Sequence, residues 1–272
     1  MPRPRVYKTP AVVLRQRRLG DTDKIVTLYT ANLGKLDAVA KGVRRVRSRL
    51  AGNVEPLSHT SFLLAHGRNL DIVTQAQSIE TFEPIRNDLN RLSRALYAAE
   101  LVDRSTEERS ENLELYRLLL DTLRRLAADD NLDLTLRFFE MALLGQLGYR
   151  PELRQCVSCA RPLEAEANLW APGLGGVICP RCRTGQETVS ALSVSALKAL
   201  RLLQSRSITD VARLRIETEL GDEIERHLRE AIHYALDRDV RSSAFLDTVR
   251  RRTGAQPSKP KRSAGAHRTA PL

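Results

Sequence analysis

Four cysteines constrain this chain more than any other feature. Cys156, Cys159, Cys179 and Cys182 are all of its cysteines, and they form two C-x2-C pairs separated by nineteen residues. A two-residue gap lets both thiolates of one turn point at a single ion at ~2.3 Å, and two such turns complete a tetrahedron. The chain between the pairs must therefore fold back on itself. Gly175-Gly176 before the second pair and Pro180 within it suit the tight turns this requires. The expected cofactor is one Zn2+, and its role is structural, because a closed four-cysteine site leaves no open position for water or substrate. A redox role of the thioredoxin type needs one C-x-x-C beside a βαβ pattern, which is missing. Arg154, Arg161, Arg181 and Arg183 surround this module, either as solvated surface residues or as contacts to phosphate.

Charge is sorted along the chain. The first fifty residues hold thirteen Lys or Arg and only three acidic residues, Asp21, Asp23 and Asp37. Residues 51–247 carry a net charge of −6, and the segment after Asp247 has seven basic residues and no acidic ones. A concentrated positive field attracts polyanions, and nucleic acid is the expected one. The alternative is a solvated charged face.

The basic head has strand periodicity. Residues 6–17, 24–31, 35–43, 60–66 and 70–79 are β-rich or alternate polar and apolar, with turns at Gly20-Asp21, Asn32-Leu33-Gly34 and Gly67-Arg68-Asn69. Five short strands with Gly-containing turns predict a small antiparallel barrel of the OB type. Alternation puts Leu36, Ala38 and Ala40 inside, with Lys35, Asp37 and Lys41 outside. The candidate nucleic-acid-binding residues are Arg15, Arg17, Arg18, Lys24, Lys35, Lys41, Arg44, Arg45, Arg47 and Arg49. Single-strand binders usually stack bases on aromatic rings. Here only Tyr7, Tyr29 and Phe62 are present, and the last two lie in apolar patterns that suit a core. The expected grip is therefore on phosphates, with steep salt dependence and weak base preference. Asp21 and Asp23 fit a turn better than acid–base chemistry.

From Pro84 the period lengthens to that of a helix. Ile85, Leu89, Leu92, Leu96 and Ala99 form one stripe, Leu115, Leu118, Leu119, Thr122, Leu123 and Leu126 a second, and Leu136, Phe139, Leu143 and Leu147 a third. Residues 193–204 and 222–237 read as two more helices, and 243–252 as another. The predicted class is α+β and multidomain. Residues 1–80 form an OB-fold barrel for nucleic acid, and 81–252 a helical domain with the zinc module at about 154–186. Residues 253–272 form a basic, disordered tail able to add DNA affinity.

Several classes are excluded on motifs. There is no phosphate loop and no nucleophile elbow, and the five histidines lack metalloprotease spacing. A non-enzyme is expected, its histidines at the surface or satisfied in a core. No apolar run approaches the ~20 residues of a membrane span. The start Met-Pro-Arg-Pro-Arg lacks the apolar region of a secretory signal, so a cytoplasmic protein without membrane contact is expected.

Taken together, the residues resemble a known family. Leu28-Tyr29-Thr30, Gly34-Lys35 and Val39 through Arg45 resemble the N-terminal signature of bacterial recombination protein O (RecO). Asp71 through Phe82, then Tyr97, Glu100 and Leu101, continue the match, and Gly175 through Cys182 resembles the family's cysteine-bearing segment. The similarity runs over about residues 6–250 and leaves 253–272 outside. It implies an OB-fold followed by a helical domain with a zinc module. It also implies a mediator of recombinational DNA repair that binds single- and double-stranded DNA and anneals complementary strands. The implied partners are RecR, single-strand-binding protein, in some settings RecF, and indirectly RecA, which the mediator helps load onto covered single strands in the cytoplasm, at the nucleoid. Some members lack the cysteines, in keeping with a structural metal. Two other readings are an OB-fold and zinc RNA-binding factor and a zinc-dependent hydrolase, the latter requiring one cysteine to be replaceable by water.

Overall fold

The computed structural model describes residues 5–183, 189–211, 215–236 and 246–249. Five strands, β1 (Val6–Leu19), β2 (Asp23–Thr30), β3 (Gly34–Ala40), β4 (His59–Ala65) and β5 (Asp71–Glu80), close into a barrel in the order β1-β2-β3-β5-β4. All pairings are antiparallel except β3 with β5, which is parallel through Ala38–Asp71 and Val39–Ile72. The expected strands are all present, and the barrel is of the OB type. Ala11, Val13, Val26, Leu28, Leu36, Ala38, Ala40, Phe62 and Leu64 fill its interior. As the alternation in β3 requires, Leu36, Ala38 and Ala40 point in.

One irregularity sets how the barrel meets the rest of the molecule. Val13 pairs with Leu28 and Arg15 with Thr27, so Leu14 is an extra residue in β1. A bulge of this kind turns two consecutive side chains to one side. Alternation already places Val12, Leu14 and Tyr29 on the outer face, where with Leu57 they join the larger core built by the helices, and the bulge turns Arg15 to that same side. Tyr29 is fully buried there, and burial raises its hydroxyl pKa to about 12.

The helices are α1 (Glu83–Asn87), α2 (Leu89–Ser105), α3 (Leu113–Ala128) and α4 (Leu132–Gln146), then α5 (Val194–Ser205), α6 (Ile208–Val211) and α7 (Thr218–Leu236). The first expected stripe, Ile85 through Ala99, is not one helix. Asp88 breaks it with extended backbone, and its carboxylate accepts the N–H groups of Asn90 and Arg91 at 2.7 and 3.0 Å, capping α2. Leu89, placed on the stripe by spacing alone, is therefore 48% exposed at the new helix start. The second stripe is buried as expected at Leu115, Leu119, Leu123 and Leu126. Helix α4 lies at the centre, packed against α2, α3, α5 and α7. The helix expected over 243–252 falls largely outside the described residues, of which 246–249 are helical, and the tail 253–272 lies wholly outside them.

An ionic cluster crosses this core. The Arg137 guanidinium lies 3.0 Å from Glu140 and 3.2 Å from Glu225, and Arg229 joins Glu225 at 2.9 Å to Asp247 at 2.8 Å. Burial, with the nearby Glu225 carboxylate, pushes the Glu140 carboxyl up from its ordinary value, against the Arg137 and Arg229 guanidiniums and a hydrogen bond from Tyr97. No described helix is long and apolar enough to cross a membrane.

Between α4 and α5 sits a small antiparallel sheet, β6 (Asn168–Ala171), β7 (Gly176–Ile178) and β8 (Ser190–Leu192), ordered β7-β6-β8. Its anchor is Trp170, fully buried in the helical core.

Candidate metal centre and nucleic-acid interface

The sheet carries the cysteines. Residue 152 lies along β7, with Glu152 N–H donating to Gly175 O at 2.9 Å and Val177 N–H donating to Glu152 O at 3.1 Å. A Cβ on Gly176 would sit 2.4 Å from Glu152 O, so only glycine allows this approach. Gly175, at φ +80°, supplies the left-handed turn just before it. The first cysteine turn closes through Ala160 N–H to Cys156 O at 2.8 Å, with Ala160 itself at φ +59°. The second is a short 3-10 turn at Pro180–Cys182, closed by Cys182 N–H to Cys179 O at 3.0 Å.

These turns bring all four Sγ atoms within 4.8 Å of one another, with Cys159 and Cys179 at 3.9 Å. A tetrahedron with arms of ~2.3 Å has edges of about 3.8 Å, so the cluster has the dimensions of a single four-thiolate metal site. It is too open for a disulfide, whose sulfurs bond at about 2.05 Å. Burial acts to raise the Cys156 thiol, but N–H donors from Cys179, Cys159 and Ser158 bring it down to about 6. The Cys182 thiol is pushed up to about 12 by the neighbouring sulfurs of Cys159 and Cys179. Four crowded sulfurs that cannot all ionise unaided are what a cation resolves. The residues fit a bound metal ion. Arg154, Arg161, Arg181 and Arg183 are exposed around it.

The basic residues of the barrel divide into two groups. In the first, each cation meets a carboxylate. The bulge at Leu14 turns Arg15 toward α2, where its Nε lies 2.6 Å from Asp103. Lys35 donates to the Asp103 carbonyl and pairs with its carboxylate at 3.4 Å, leaving the lysine side chain 15% exposed. Arg17 pairs with Asp37 at 3.3 Å, and Lys24 with Gln16 at 2.7 Å and Glu55 at 3.4 Å. Asp103 and Glu55 are invisible as partners in sequence, because nothing in the spacing links them to the barrel cations.

The second group is Arg18, Lys41, Arg44, Arg45, Arg47 and Arg49. All six are exposed, and none pairs with a carboxylate among the described residues. Five of them belong to the loop after β3, and this loop is anchored. Asp23 Oδ1 accepts the Gly42 N–H at 2.7 Å and the Thr22 hydroxyl at 2.8 Å. Those donors hold the Asp23 carboxyl below its usual range. Arg44 N–H donates to Thr22 O at 2.9 Å, and the Arg44 guanidinium donates to Asp21 O at 2.8 Å. The loop is thereby tied to the β1–β2 turn. Ser48 N–H then donates to Arg45 O at 3.0 Å, a tight turn with Val46 and Arg47 at its apex.

Aromatic rings contribute no exposed platform at the candidate residues. Tyr29 and Phe62 are fully buried, and the Tyr7 hydroxyl is bound to Asp71, which Arg109 also holds at 2.8 Å. Two interface features had no sequence signal. His59 joins Tyr116 at 2.8 Å and Glu80 at 3.0 Å, with Arg124 gripping Glu80 at 2.7 Å, so β4, β5 and α3 share one hydrogen-bonded chain. The start of β3, which β5 does not reach, is covered by residues 108–110, with Arg109 N–H donating to Lys35 O at 2.8 Å.

The comparisons with known proteins agree with this architecture. A family model described as recombination protein O N terminal matches residues 4–82, and one described as recombination protein O C terminal matches 86–244. The chain is 45% identical over 248 residues to a DNA repair protein RecO of Roseiflexus sp. (strain RS-1), covering 91% of this chain and 87% of that protein. It is 37% identical over 250 residues to the DNA repair protein RecO of Dehalococcoides mccartyi (strain CBDB1), covering 92% and 98%. To the DNA repair protein RecO of Symbiobacterium thermophilum it is 39% identical over 248 residues, covering 90% and 98%. A barrel and a helical domain each matched over nearly their whole length, with relatives aligned across both, leave one assignment: the chain belongs to the recombination protein O family.

Proposed function

We propose that this chain is a non-enzymatic mediator of recombinational DNA repair. In this reading it binds single- and double-stranded DNA, anneals complementary strands, and with RecR loads RecA onto DNA covered by single-strand-binding protein. RecF is a further partner in some settings, and the site of action is the nucleoid. The observation that carries the DNA-binding part is the anchored loop at Lys41–Arg49, whose cations face solvent without carboxylate partners among the described residues. Phosphate contacts of this kind release counterions, giving affinity that falls steeply with salt and favours no sequence. Such a grip suits a protein that must hold two strands and then release them. Membership of a family whose relatives bear the name DNA repair protein supports the repair role.

In this proposal the interface is narrower than the ten basic residues of the sequence reading. Arg18, Lys41, Arg44, Arg45, Arg47 and Arg49 contact phosphate, while Arg15, Arg17, Lys24 and Lys35 serve the barrel and its junction with the helices. The barrel at 1–80 is the DNA-binding unit, and the helical domain at 81–252 supplies its support and protein contacts. The metal in the four-cysteine centre is one Zn2+, held by Cys156, Cys159, Cys179 and Cys182. It supplies a cross-link between the two turns and no chemistry.

A strand-annealing assay on complementary oligonucleotides tests the function, run with and without single-strand-binding protein. Annealing accelerated by the wild-type chain, and lost in Arg45→Glu with Arg47→Glu, is the expected result. Annealing no faster than the spontaneous rate would sink it. An RNA-binding factor would instead prefer structured RNA over DNA in salt-matched competition.

A further inference from the structure

Val46 is 104% exposed, which marks it as the most exposed large aliphatic side chain described in the molecule. Scattered exposed aliphatics are ordinary on a surface and need no account. The position of Val46 is not ordinary. It sits at the apex of the 45–48 turn, flanked by Arg45 and Arg47, both exposed. The root below it is held by Asp23 on Gly42 and by Arg44 on Asp21. A side chain carried on a pinned turn, between two cations that would each meet a phosphate, is presented to whatever lies between those phosphates. In a nucleic acid that is a base or a base step.

Resting on the reading that this loop binds DNA, we propose that Val46 is a base-contacting residue: an aliphatic wedge that packs against unstacked bases of single-stranded DNA while Arg45 and Arg47 hold the backbone on either side. The barrel needs such a contact because its own rings are committed elsewhere. Tyr29 and Phe62 are buried, and the Tyr7 hydroxyl is bonded to Asp71. Apolar wedges inserted at base steps are an established physical device for unstacking, and the removal of apolar surface from water drives them. A second exposed aliphatic, Leu19, lies at the end of β1. It is 39% exposed in the neighbouring β1–β2 tip, which Arg44 ties to the loop. Bases splayed on aliphatic side chains are exchanged more readily than bases stacked on rings, which suits strand pairing.

The test compares Val46→Ala with Arg45→Ala/Arg47→Ala on two probes, an oligothymidine and an abasic oligomer of the same length. Val46 makes no contact that folding needs, so Val46→Ala keeps the fold. Loss of two buried methyl groups is expected to weaken binding to the oligothymidine about three- to tenfold. Binding to the abasic oligomer and the salt slope on both probes should not change. The double arginine variant should weaken both probes alike and flatten both slopes. Wild-type affinity of Val46→Ala on both probes, or equal weakening on both, overturns the wedge while the loop remains the binding surface. If the arginine variant binds both probes as the wild type does, the loop reading itself fails.

Discussion

The Asp23 carboxylate accepts the backbone N–H of Gly42 at 2.7 Å, and through this contact an acidic residue shapes the most basic loop in the chain. The contact explains why Asp23 sits inside a positive segment. Without a fixed root, the loop's arginines would spread over many positions, and each phosphate contact would cost more ordering entropy. The anion therefore serves the cations.

This division of labour separates two lysine and arginine sets by experiment. If Arg45 and Arg47 each contact a phosphate as proposed, Arg45→Ala with Arg47→Ala should make the slope of log K against log salt on single-stranded DNA shallower by about 1.4. Lys35→Ala should leave that slope unaltered and lower the melting temperature, because its ammonium is bound to Asp103. Titrations across a salt series, with melting curves on the same samples, check both.

Metal removal should act on stability. Metal analysis is expected to return one zinc per chain, and Cys156→Ser or chelation should lower Tm by at least about 5 °C, as loss of a few kcal/mol does in a chain of this size. Calorimetry with and without chelator reads this directly. Unaltered melting in the chelated protein would remove the structural role.

Acid should loosen the junction between barrel and helices. Arg124, aided by His59, holds the Glu80 carboxyl below its ordinary value of 4.5. A carboxyl lowered by folding contributes stability that is complete above its unfolded pKa and is lost as pH falls through the lower folded value. The contribution should amount to about 1 kcal/mol, since Arg124 is half exposed and screened. Glu80→Gln should lower Tm at pH 7, and its gap from the wild type should narrow as pH falls below 4.5 and close only below the depressed folded pKa.

The first residue of β3 tolerates no side chain. Gly34 lies at φ +63°, and a Cβ there would sit 2.0 Å from the Ser110 carbonyl oxygen. Gly34→Ala should cost at least about 2 kcal/mol, from the left-handed backbone and the displacement of the strip covering β3. Denaturant unfolding of the variant against the wild type measures it.

Much of this architecture is written locally. Alternation at Leu36, Ala38 and Ala40 needs only the two-residue period of a strand, and the cysteine turns need only their two-residue gaps and a glycine pair. Such features depend on neighbours in the chain, so they are legible in it. The misplaced first helix shows where that legibility ends. Ile85 and Leu89 share a helical spacing, yet the Asp88 side chain bonds the backbone ahead of it and starts a new helix.

Which cations remain available was decided by the folded chain alone. Arg15 and Arg45 look equivalent in sequence. One extra residue at Leu14 turns Arg15 onto α2, where Asp103, eighty-eight positions away, neutralises it, while the turn at 45–48 leaves Arg45 in solvent. Charge is a property of residues and can be counted along a chain. Whether it is spent inside the molecule depends on partners that only long-range packing brings within reach.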